Sequence, residues 1–138
     1  EFRRVLFRSA PLPSEASKLD RLKGGLSLSI LYKRGSSEAC IVTQSGGRLQ
    51  ARMIDVGAPI ACAATSETSL VVAFEDGRAA LFTSDAIKTG DHSLTPTHSL
   101  SLGARGEPTT MLITSKGSAN VWVGTSSGEM IRVSLPRK

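Results

Sequence analysis

From residue 26 onward, short apolar runs alternate with polar segments that contain glycine or serine. The polar segments recur about every 8–12 residues, a spacing typical of many short antiparallel strands. No apolar run has the length and periodicity of a long helix. The pattern therefore predicts an all-β fold with strands near 26–32, 40–43, 48–54, 59–64, 70–73, 78–84, 97–102, 109–114, 121–124 and 129–135.

Three of these segments, 40–49, 70–79 and 121–130, align without gaps on Gly47, Gly77 and Gly128. Each has three apolar residues, a small residue, a polar turn that ends in glycine, and a second apolar run. We interpret each segment as a β-hairpin in which the glycine adopts positive φ. The first strand is expected to be buried on both faces and the return strand to be half-buried.

A repeated unit of three or four antiparallel strands is typical of a β-propeller blade. We therefore predict a partial WD40-like propeller over 26–138: two to three blades in an open arc, successively at about 26–58, 59–102 and 109–136. The segment 10–25 is predicted to be a linker with one or two helical turns from Ser14, and 85–96 a polar loop. A stand-alone β-sandwich is the alternative all-β fold.

The first nine residues resemble the in-frame translation of a common sequencing adapter, with all nine matching. We expect 1–9 to be an artefactual leader, with an Arg-rich transit peptide as the alternative. On this interpretation the chain is a fragment of a longer protein.

The net charge of +5 is concentrated at the two ends of the chain. Residues 1–9 and the terminal pair Arg137 and Lys138 account for most of it, and the segment between them is close to neutral. Nucleic-acid binding needs clustered cations or a stacking platform of aromatic residues. The sequence therefore favours a protein partner over nucleic acid, and no apolar run is long enough for a membrane helix.

Cys40 and Cys62 lie 22 residues apart within apolar stretches, and neither belongs to a C-x-x-C motif. This spacing favours two buried, reduced thiols in a cytoplasmic protein, with no metal site and no cofactor. His92 and His98 are expected in a loop and a strand. Trp122 is expected in the core or packed between blades, and Lys33, Arg34 and Arg105 are expected to be solvated loop charges.

One catalytic pattern, G-x-S-x-G, occurs at 124–128. A nucleophile elbow must open into a helix and be followed by acidic and histidine partners. The alternating residues 129–135 indicate a strand there, and no histidine follows. We therefore predict a hairpin turn, and no catalysis in this chain.

The final segment, Val-Trp-Val-Gly-Thr-Ser-Ser-Gly-Glu-Met-Ile-Arg-Val-Ser-Leu-Pro at 121–136, resembles the last propeller segment of two groups of proteins. These are the JNK-interacting scaffold proteins of the leucine-zipper type and the Rho guanine-nucleotide exchange factors that end in a WD40-like propeller. Residues 60–102 are similar to the penultimate blade of the same groups, and 26–58 match only loosely. The chain has no Trp-Asp dipeptide and no clear Gly-His pair, which are typical WD40 features.

The resemblance implies a C-terminal protein-interaction module of a signalling scaffold or exchange factor, packed against the remaining blades of its parent chain. The tail propeller of a leucine-rich-repeat kinase, or of another multidomain enzyme, is the alternative. If the blades are correctly placed, turns and blade-to-blade loops share one face of the propeller, where partners commonly bind. The candidate contact residues on that face are Glu75, Asp76, Arg105 and Glu107.

Overall fold

Eleven short strands in three antiparallel sheets form most of the regular structure in the part of the chain that is described. The computed structural model describes residues 14–24, 28–45, 47–66, 68–88, 92–102, 106–114 and 120–134. The predicted all-β fold is therefore confirmed. Within each sheet, strands that follow one another in the chain are hydrogen-bonded neighbours, so every sheet is a simple meander.

The three sheets follow one another along the sequence. Sheet 1 contains β1 (Arg21–Gly24), β2 (Leu28–Tyr32), β3 (Glu38–Ser45) and β4 (Arg48–Asp55). Sheet 2 contains β5 (Ile60–Thr65), β6 (Ser69–Phe74), β7 (Arg78–Thr83) and β8 (His98–Ser101). Sheet 3 contains β9 (Pro108–Thr114), β10 (Asn120–Thr125) and β11 (Met130–Ser134).

Two helical turns complete the described structure. A 3₁₀ helix at Ser14–Lys18 confirms the turn predicted from Ser14. The α-helix α1 (Ser84–Lys88) covers the end of the strand predicted at 78–84 and the start of the loop predicted at 85–96, which corrects both predictions there. Its one buried side chain, Ile87, packs into the core between sheets 1 and 2. This burial anchors a helical turn that is too short to be stable by itself.

Strand β1 falls inside the segment 10–25 that was predicted to be a linker, so that prediction is wrong for its last residues. Only Leu22 of β1 is strongly apolar, and its side chain is 68% exposed. β1 is a strand because its backbone pairs with β2, from Arg21 opposite Tyr32 to Gly24 opposite Ser29. Sequence periodicity does not report this kind of pairing.

The positions of the turn glycines correct the predicted repeat. Gly77 and Gly128 both follow the second strand of their sheet, with φ of 88° and 87°. Gly47 also has positive φ, but it joins the third and fourth strands of sheet 1. The equivalent turn of sheet 1 contains Gly35, with φ of 89°. The three glycines are therefore hairpin corners as predicted, but Gly35 rather than Gly47 is the counterpart of Gly77 and Gly128.

We expect Gly77→Ala to lower the free energy of unfolding by about 1–2 kcal/mol. A Cβ at this position would meet no atom within 4 Å, so the cost arises from the left-handed backbone alone. Gly77→Asn is the matched control and should cost less, because asparagine tolerates this conformation better. Urea unfolding followed by circular dichroism measures both variants. Equal stability of Gly77→Ala and the parent chain would contradict the positive φ of Gly77.

Sheet 2 lies between the other two sheets and is covered on both faces. We call the face of a sheet that is directed towards the next sheet in the chain its leading face, and the opposite one its trailing face. Leu70, Val72 and Phe74 on the trailing face of sheet 2 pack in one core with Ile30 and Tyr32 of sheet 1. The leading face of sheet 2 packs in a second core against sheet 3, through Cys62, Ala64, Val71, Ala73, Ala79, Leu81, Met111, Val121 and Val123.

This stacking explains which strands are buried. β6 and β7 are buried over almost their whole length, because they belong to the middle sheet. The prediction of a half-buried return strand is therefore wrong for β7 and correct for β4 and β11. β10 alternates between buried and partly buried residues, because among the described sheets only sheet 2 packs on it, at its trailing face.

Trp122 is the residue most affected by this alternation. It lies on the leading face of sheet 3 and is only partly buried, so it belongs to neither core, and its packing against a further blade stays a prediction. The Arg132 guanidinium carbon lies 5.8 Å from the centroid of the Trp122 ring. A guanidinium at this distance from an indole is within the range of a cation–π interaction.

The first strands of the three sheets lie closest together. β5 contacts both β1 and β9. The Lys23 Nζ of β1 donates a hydrogen bond to the Met111 carbonyl of β9 over 3.4 Å. The three sheets are therefore joined along their first strands.

Candidate interaction surface

Loops from all three sheets meet at one end of the strands. The Gly35 amide donates to the Ile60 carbonyl (2.8 Å), and the Ser126 amide donates to the Glu107 carbonyl (2.8 Å). The Glu75 amide donates to the Pro59 carbonyl (3.1 Å). We call this surface the loop end and define it as residues 33–37, 75–77, 106–107 and 126–129.

Arg34 joins the three sheets at the loop end. Its Nη1 donates to the carbonyls of Ala61 (3.3 Å) and Pro108 (3.0 Å). Its Nη2 lies 2.9 Å from Glu107 Oε2 and forms an ion pair with it. The guanidinium fork thus extends from the loop after β2 to β5 and to the start of β9, which a lysine cannot imitate with a single ammonium group.

The prediction that Arg34 is a solvated loop charge is therefore wrong, since its side chain is only 30% exposed. Its partners lie 27 and 74 residues further along the chain. The local sequence Lys-Arg-Gly after a strand gives no indication of such distant partners. Only the convergence of the sheets brings those carbonyls within reach.

Glu75 and Asp76 occupy the turn between β6 and β7, at the loop end. The Asp76 carboxylate accepts hydrogen bonds from the Arg78 amide (3.0 Å) and from Arg78 Nε (2.7 Å). Both hydrogen bonds lower the pKa of Asp76, and the one from the Arg78 backbone amide has the larger effect. Asp76 therefore stabilises its own turn, and Glu75 is the exposed carboxylate that faces outward beside Gly35.

Glu107 also lies at the loop end, but its carboxylate is held by Arg34. Its side chain is 60% exposed, so one side of the ion pair faces solvent. Arg105, the fourth predicted contact residue, lies outside the described residues. The structure thus brings Glu75, Asp76 and Glu107 to one surface, and contact with a partner stays a prediction for all of them.

The G-x-S-x-G pattern forms the hairpin turn that the sequence predicted. β10 ends at Thr125, the turn contains Gly128, and β11 follows in place of a helix. Ser126 Oγ accepts a hydrogen bond from the Glu107 amide (3.1 Å), and Ser127 Oγ donates to Glu129 Oε1 (3.3 Å). The two serine hydroxyls therefore stabilise the part of the loop end that belongs to sheet 3.

The two thiols are buried and free, as predicted. Cys62 lies on the leading face of β5, where burial raises its pKa to about 11. Burial also raises the pKa of Cys40 on β3. A thiol reacts as its thiolate, so both effects suppress reactivity at neutral pH.

We expect iodoacetamide at pH 8 to leave both thiols of the folded chain unmodified while it labels two thiols per chain in urea. Mass spectrometry counts the labels, and the urea sample is the control. Labelling of the folded chain as fast as a free cysteine peptide would contradict the burial of the thiols.

The raised pKa of Cys62 also predicts how stability depends on pH. The unfolded thiol loses its proton near pH 9, whereas the folded one keeps it to about pH 11. The folded state therefore binds more protons in this window, and stability falls as pH rises through it. Cys62→Ala should show a smaller loss of stability between pH 9 and pH 11 in urea titrations.

The two histidines lie where the sequence predicted them. His92 is in the loop before β8, and its Nε2 is 3.7 Å from Glu38 Oε2. His98 is the first residue of β8. Within the described ranges, no group of three or more His, Cys, Asp or Glu side chains is arranged to hold a metal ion.

A groove of about 460 Å³ lies away from the loop end, between β3, β4 and α1. Its wall includes Ile41, Leu49, Arg52 and Ile87. The Arg52 guanidinium donates a hydrogen bond to the Ile87 carbonyl, which fastens α1 to β4. The hydrogen bond between Arg52 and Ile87 thus crosses the groove and joins its two walls.

None of the helices in the described part of the chain has the length and apolar character needed to cross a membrane. Comparison of the chain with known protein families and with curated proteins finds no match.

Proposed function

We propose that the chain is a protein-interaction module built from part of a WD40-like β-propeller, and that the loop end is its partner-binding surface. The observation that supports this most directly is the convergence at Arg34. One side chain connects the loop after β2 to β5 and to the start of β9, and so joins three consecutive sheets at the loop end. Binding residues are often carried by loops on such a framework.

The sheet architecture supports the propeller part of the proposal. Each sheet is an antiparallel meander, and the first strands of the sheets lie together. The corrected turn glycines Gly35 and Gly77 are 42 residues apart, within the roughly 40–45 residues of a WD40-type blade, whereas Gly77 and Gly128 are 51 residues apart. A β-sandwich is built from two sheets packed face to face, so three stacked sheets favour the propeller.

The resemblance at 121–136 supports a parent among the JNK-interacting scaffold proteins or the propeller-containing Rho exchange factors. In either case the proposed role is binding of another protein in the cytoplasm, without catalysis in this segment. The partner is expected to present basic groups, because Glu75 and Glu107 give the loop end exposed carboxylates.

Charge reversal of Glu75 tests this proposal. Immobilised parent chain, Glu75→Lys and Asp85→Lys are exposed to the same cell extract, and retained proteins are quantified by mass spectrometry. Asp85 is the matched control, because it is an exposed acid on α1, away from the loop end. Circular dichroism verifies that all three chains are folded.

We expect at least one protein to be retained by the parent chain and by Asp85→Lys and lost from Glu75→Lys. The purified protein should then bind the parent chain directly in solution. If the three chains retain the same set of proteins, or none, the loop end is not the binding surface.

A further inference from the structure

The groove between β3, β4 and α1 runs along the outer edge of sheet 1. β4 is the last strand of that sheet, and the groove beside it has a volume of about 460 Å³. Pockets that hold a ligand usually have volumes of about 300–1,000 Å³. The groove lies away from the loop end, so the proposed function does not use it.

The backbone of β4 faces the groove at alternate residues. At the end of the strand, the Asp55 amide donates to the His92 carbonyl (2.7 Å), and the Asp55 carbonyl accepts from the Leu94 amide (3.0 Å). Asp55 therefore directs both groups away from β3. Backbone groups alternate between the two sides of a strand, so Leu49 and Ala51 direct theirs away from β3 as well. Both residues line the groove, and β4 thus offers it the donors and acceptors of an edge strand.

The groove is closed at the end nearer Asp55. The Arg52 guanidinium donates to the Ile87 carbonyl across the groove. Beyond Arg52, the segment at Ser93 already pairs in parallel with β4 at Asp55. Leu49 lines the groove three residues earlier on β4. An extended peptide that enters beside Leu49 cannot continue past Arg52, so the peptide must end there.

Charge at the closed end indicates which terminus of a peptide fits. Of the residues that line the groove, two are charged, Arg52 and Lys88, and both are cations. Lys88 is the last residue of α1, and its side chain is exposed. Cations attract a terminal carboxylate and repel a terminal ammonium group. The closed end therefore favours the C-terminus of a peptide.

The side chains of the groove are ordered along β4. Ile41 lies directly opposite Arg52, and it shares a core with Ile87. Thr43 lies directly opposite Gln50, two residues further from the closed end. Directly opposed residues of an antiparallel pair share a face. An extended peptide therefore meets apolar side chains with its last residue and polar ones two residues earlier.

We propose that this groove binds the C-terminal segment of another protein as an extended strand parallel to β4. The terminal carboxylate lies beside Arg52 and Lys88, and an apolar last side chain packs on Ile41 and Ile87. The hydrogen bonds follow the parallel pairing at the end of β4. The Ala51 amide donates to the carbonyl of the third residue from the peptide's end, and the Ala51 carbonyl accepts from the amide of its last residue. The inference goes beyond the proposed function, because it concerns a second surface with a ligand of its own.

Fluorescence anisotropy with a defined peptide tests the proposal. The probe is Gly-Ser-Gly-Thr-Val-Leu, which carries fluorescein at its amino terminus and has a free carboxylate, an apolar last residue and a polar third-last residue. Its control is the same peptide with a C-terminal amide. We expect the free acid to bind the parent chain and the amide to bind about tenfold more weakly, because a charge-assisted contact is lost.

A third peptide tests the strand pairing. It is the free acid with a methyl group on the amide nitrogen of its last residue, which then cannot donate to the Ala51 carbonyl. We expect this peptide also to bind about tenfold more weakly than the free acid.

Lys88→Gln tests the cation at the closed end of the groove. The variant should bind the free acid about two- to fivefold more weakly and the amide as the parent chain does, since Lys88 is an exposed charge. Lys18→Gln is the matched control, because it removes an exposed cation from the 3₁₀ helix before β1. It should change neither affinity.

Ala51→Pro tests the edge of β4 from the side of the protein. Proline is tolerated on an edge strand where the amide is directed away from the sheet, so we expect the variant to fold and to bind the free acid about tenfold more weakly. Ala51→Gly keeps the amide and is the matched control. Thermal unfolding verifies that both variants are folded.

Three results would overturn the proposal. One is a parent chain that does not bind the free acid at concentrations up to about 1 mM. Another is equal affinity for the free acid and the amide, which means that the groove does not recognise a C-terminus. The last is equal affinity for the methylated and unmethylated acids, which means that the peptide does not pair with β4. None of them affects binding at the loop end, which the Glu75→Lys experiment tests separately.

Discussion

Phe82→Ala is expected to lower the free energy of unfolding by about 3–5 kcal/mol, the usual cost of emptying a buried aromatic site. Phe82 lies on β7, the third strand of the middle sheet, and is fully buried. It packs in the core between sheets 1 and 2, directly opposite Leu70 of β6. The neighbouring sheets are fixed by their own hydrogen bonds, so the cavity cannot close completely.

Urea unfolding followed by intrinsic fluorescence and circular dichroism measures this loss. Phe82→Leu is the matched control and should cost about 1.5 kcal/mol or less, since it keeps most of the apolar volume. An unchanged dependence of the unfolding free energy on urea shows that the variants unfold from the same fold. A loss below about 1 kcal/mol for Phe82→Ala would mean that sheet 1 does not cover this face of β7.

Arg34→Ala is expected to cost about 2 kcal/mol, because the Ala61 and Pro108 carbonyls lose a charged donor. The effect is moderated by the partial exposure of the guanidinium. We expect the loss of unfolding free energy in Arg34→Lys to be more than half of that in Arg34→Ala, since an ammonium group cannot reproduce the guanidinium fork. Hydrogen exchange should increase at the start of β9, where Arg34 holds the Pro108 carbonyl.

Glu107→Gln separates the ion pair from the carbonyl contacts. Its exposed carboxylate should contribute less than about 1 kcal/mol, which is typical of surface ion pairs. A double-mutant cycle of Arg34→Ala and Glu107→Gln measures the coupling energy between the two side chains. If Glu107→Gln is as destabilising as Arg34→Ala, the ion pair and not the carbonyl contacts holds the loop end together.

Local sequence patterns predicted most of the strands and hairpin turns. The two elements that they missed, β1 and α1, both depend on contacts with other parts of the chain. The hairpin glycines Gly77 and Gly128 were identified because only a residue without a Cβ adopts positive φ at low cost. β1 and α1 were missed, since each depends on a contact outside its own segment. β1 pairs with β2, and α1 is anchored by the burial of Ile87.

The candidate surface was predicted only in part. Glu75 and Asp76 were placed in a turn from their sequence before Gly77, and the structure has them there. The sequence did not indicate that Arg34 holds Glu107, because 73 residues separate them. Asp76 was predicted as a contact residue, yet its carboxylate is engaged by Arg78 in its own turn.

Alignment of the three segments on their turn glycines identified a repeat but placed sheet 1 in the wrong position within it. Superposing turn glycines gave Gly47 the role that belongs to Gly35, because both precede an apolar run and both have positive φ. The strand order resolves this ambiguity: Gly47 joins the third and fourth strands, and Gly35 the second and third. A sequence pattern of period two specifies that strands exist and not which strand is first in its sheet.

The amino-acid sequence alone determined that this protein is made of short antiparallel strands joined by glycine turns, because strand alternation and positive-φ glycines are local properties. The tertiary structure decided which strand faces were buried, which made β7 a core strand and left Trp122 beside Arg132 on a face that no other described sheet covers. It also decided that Arg34 connects three sheets. These features depend on how the sheets stack, and stacking arises from contacts between residues far apart in the chain.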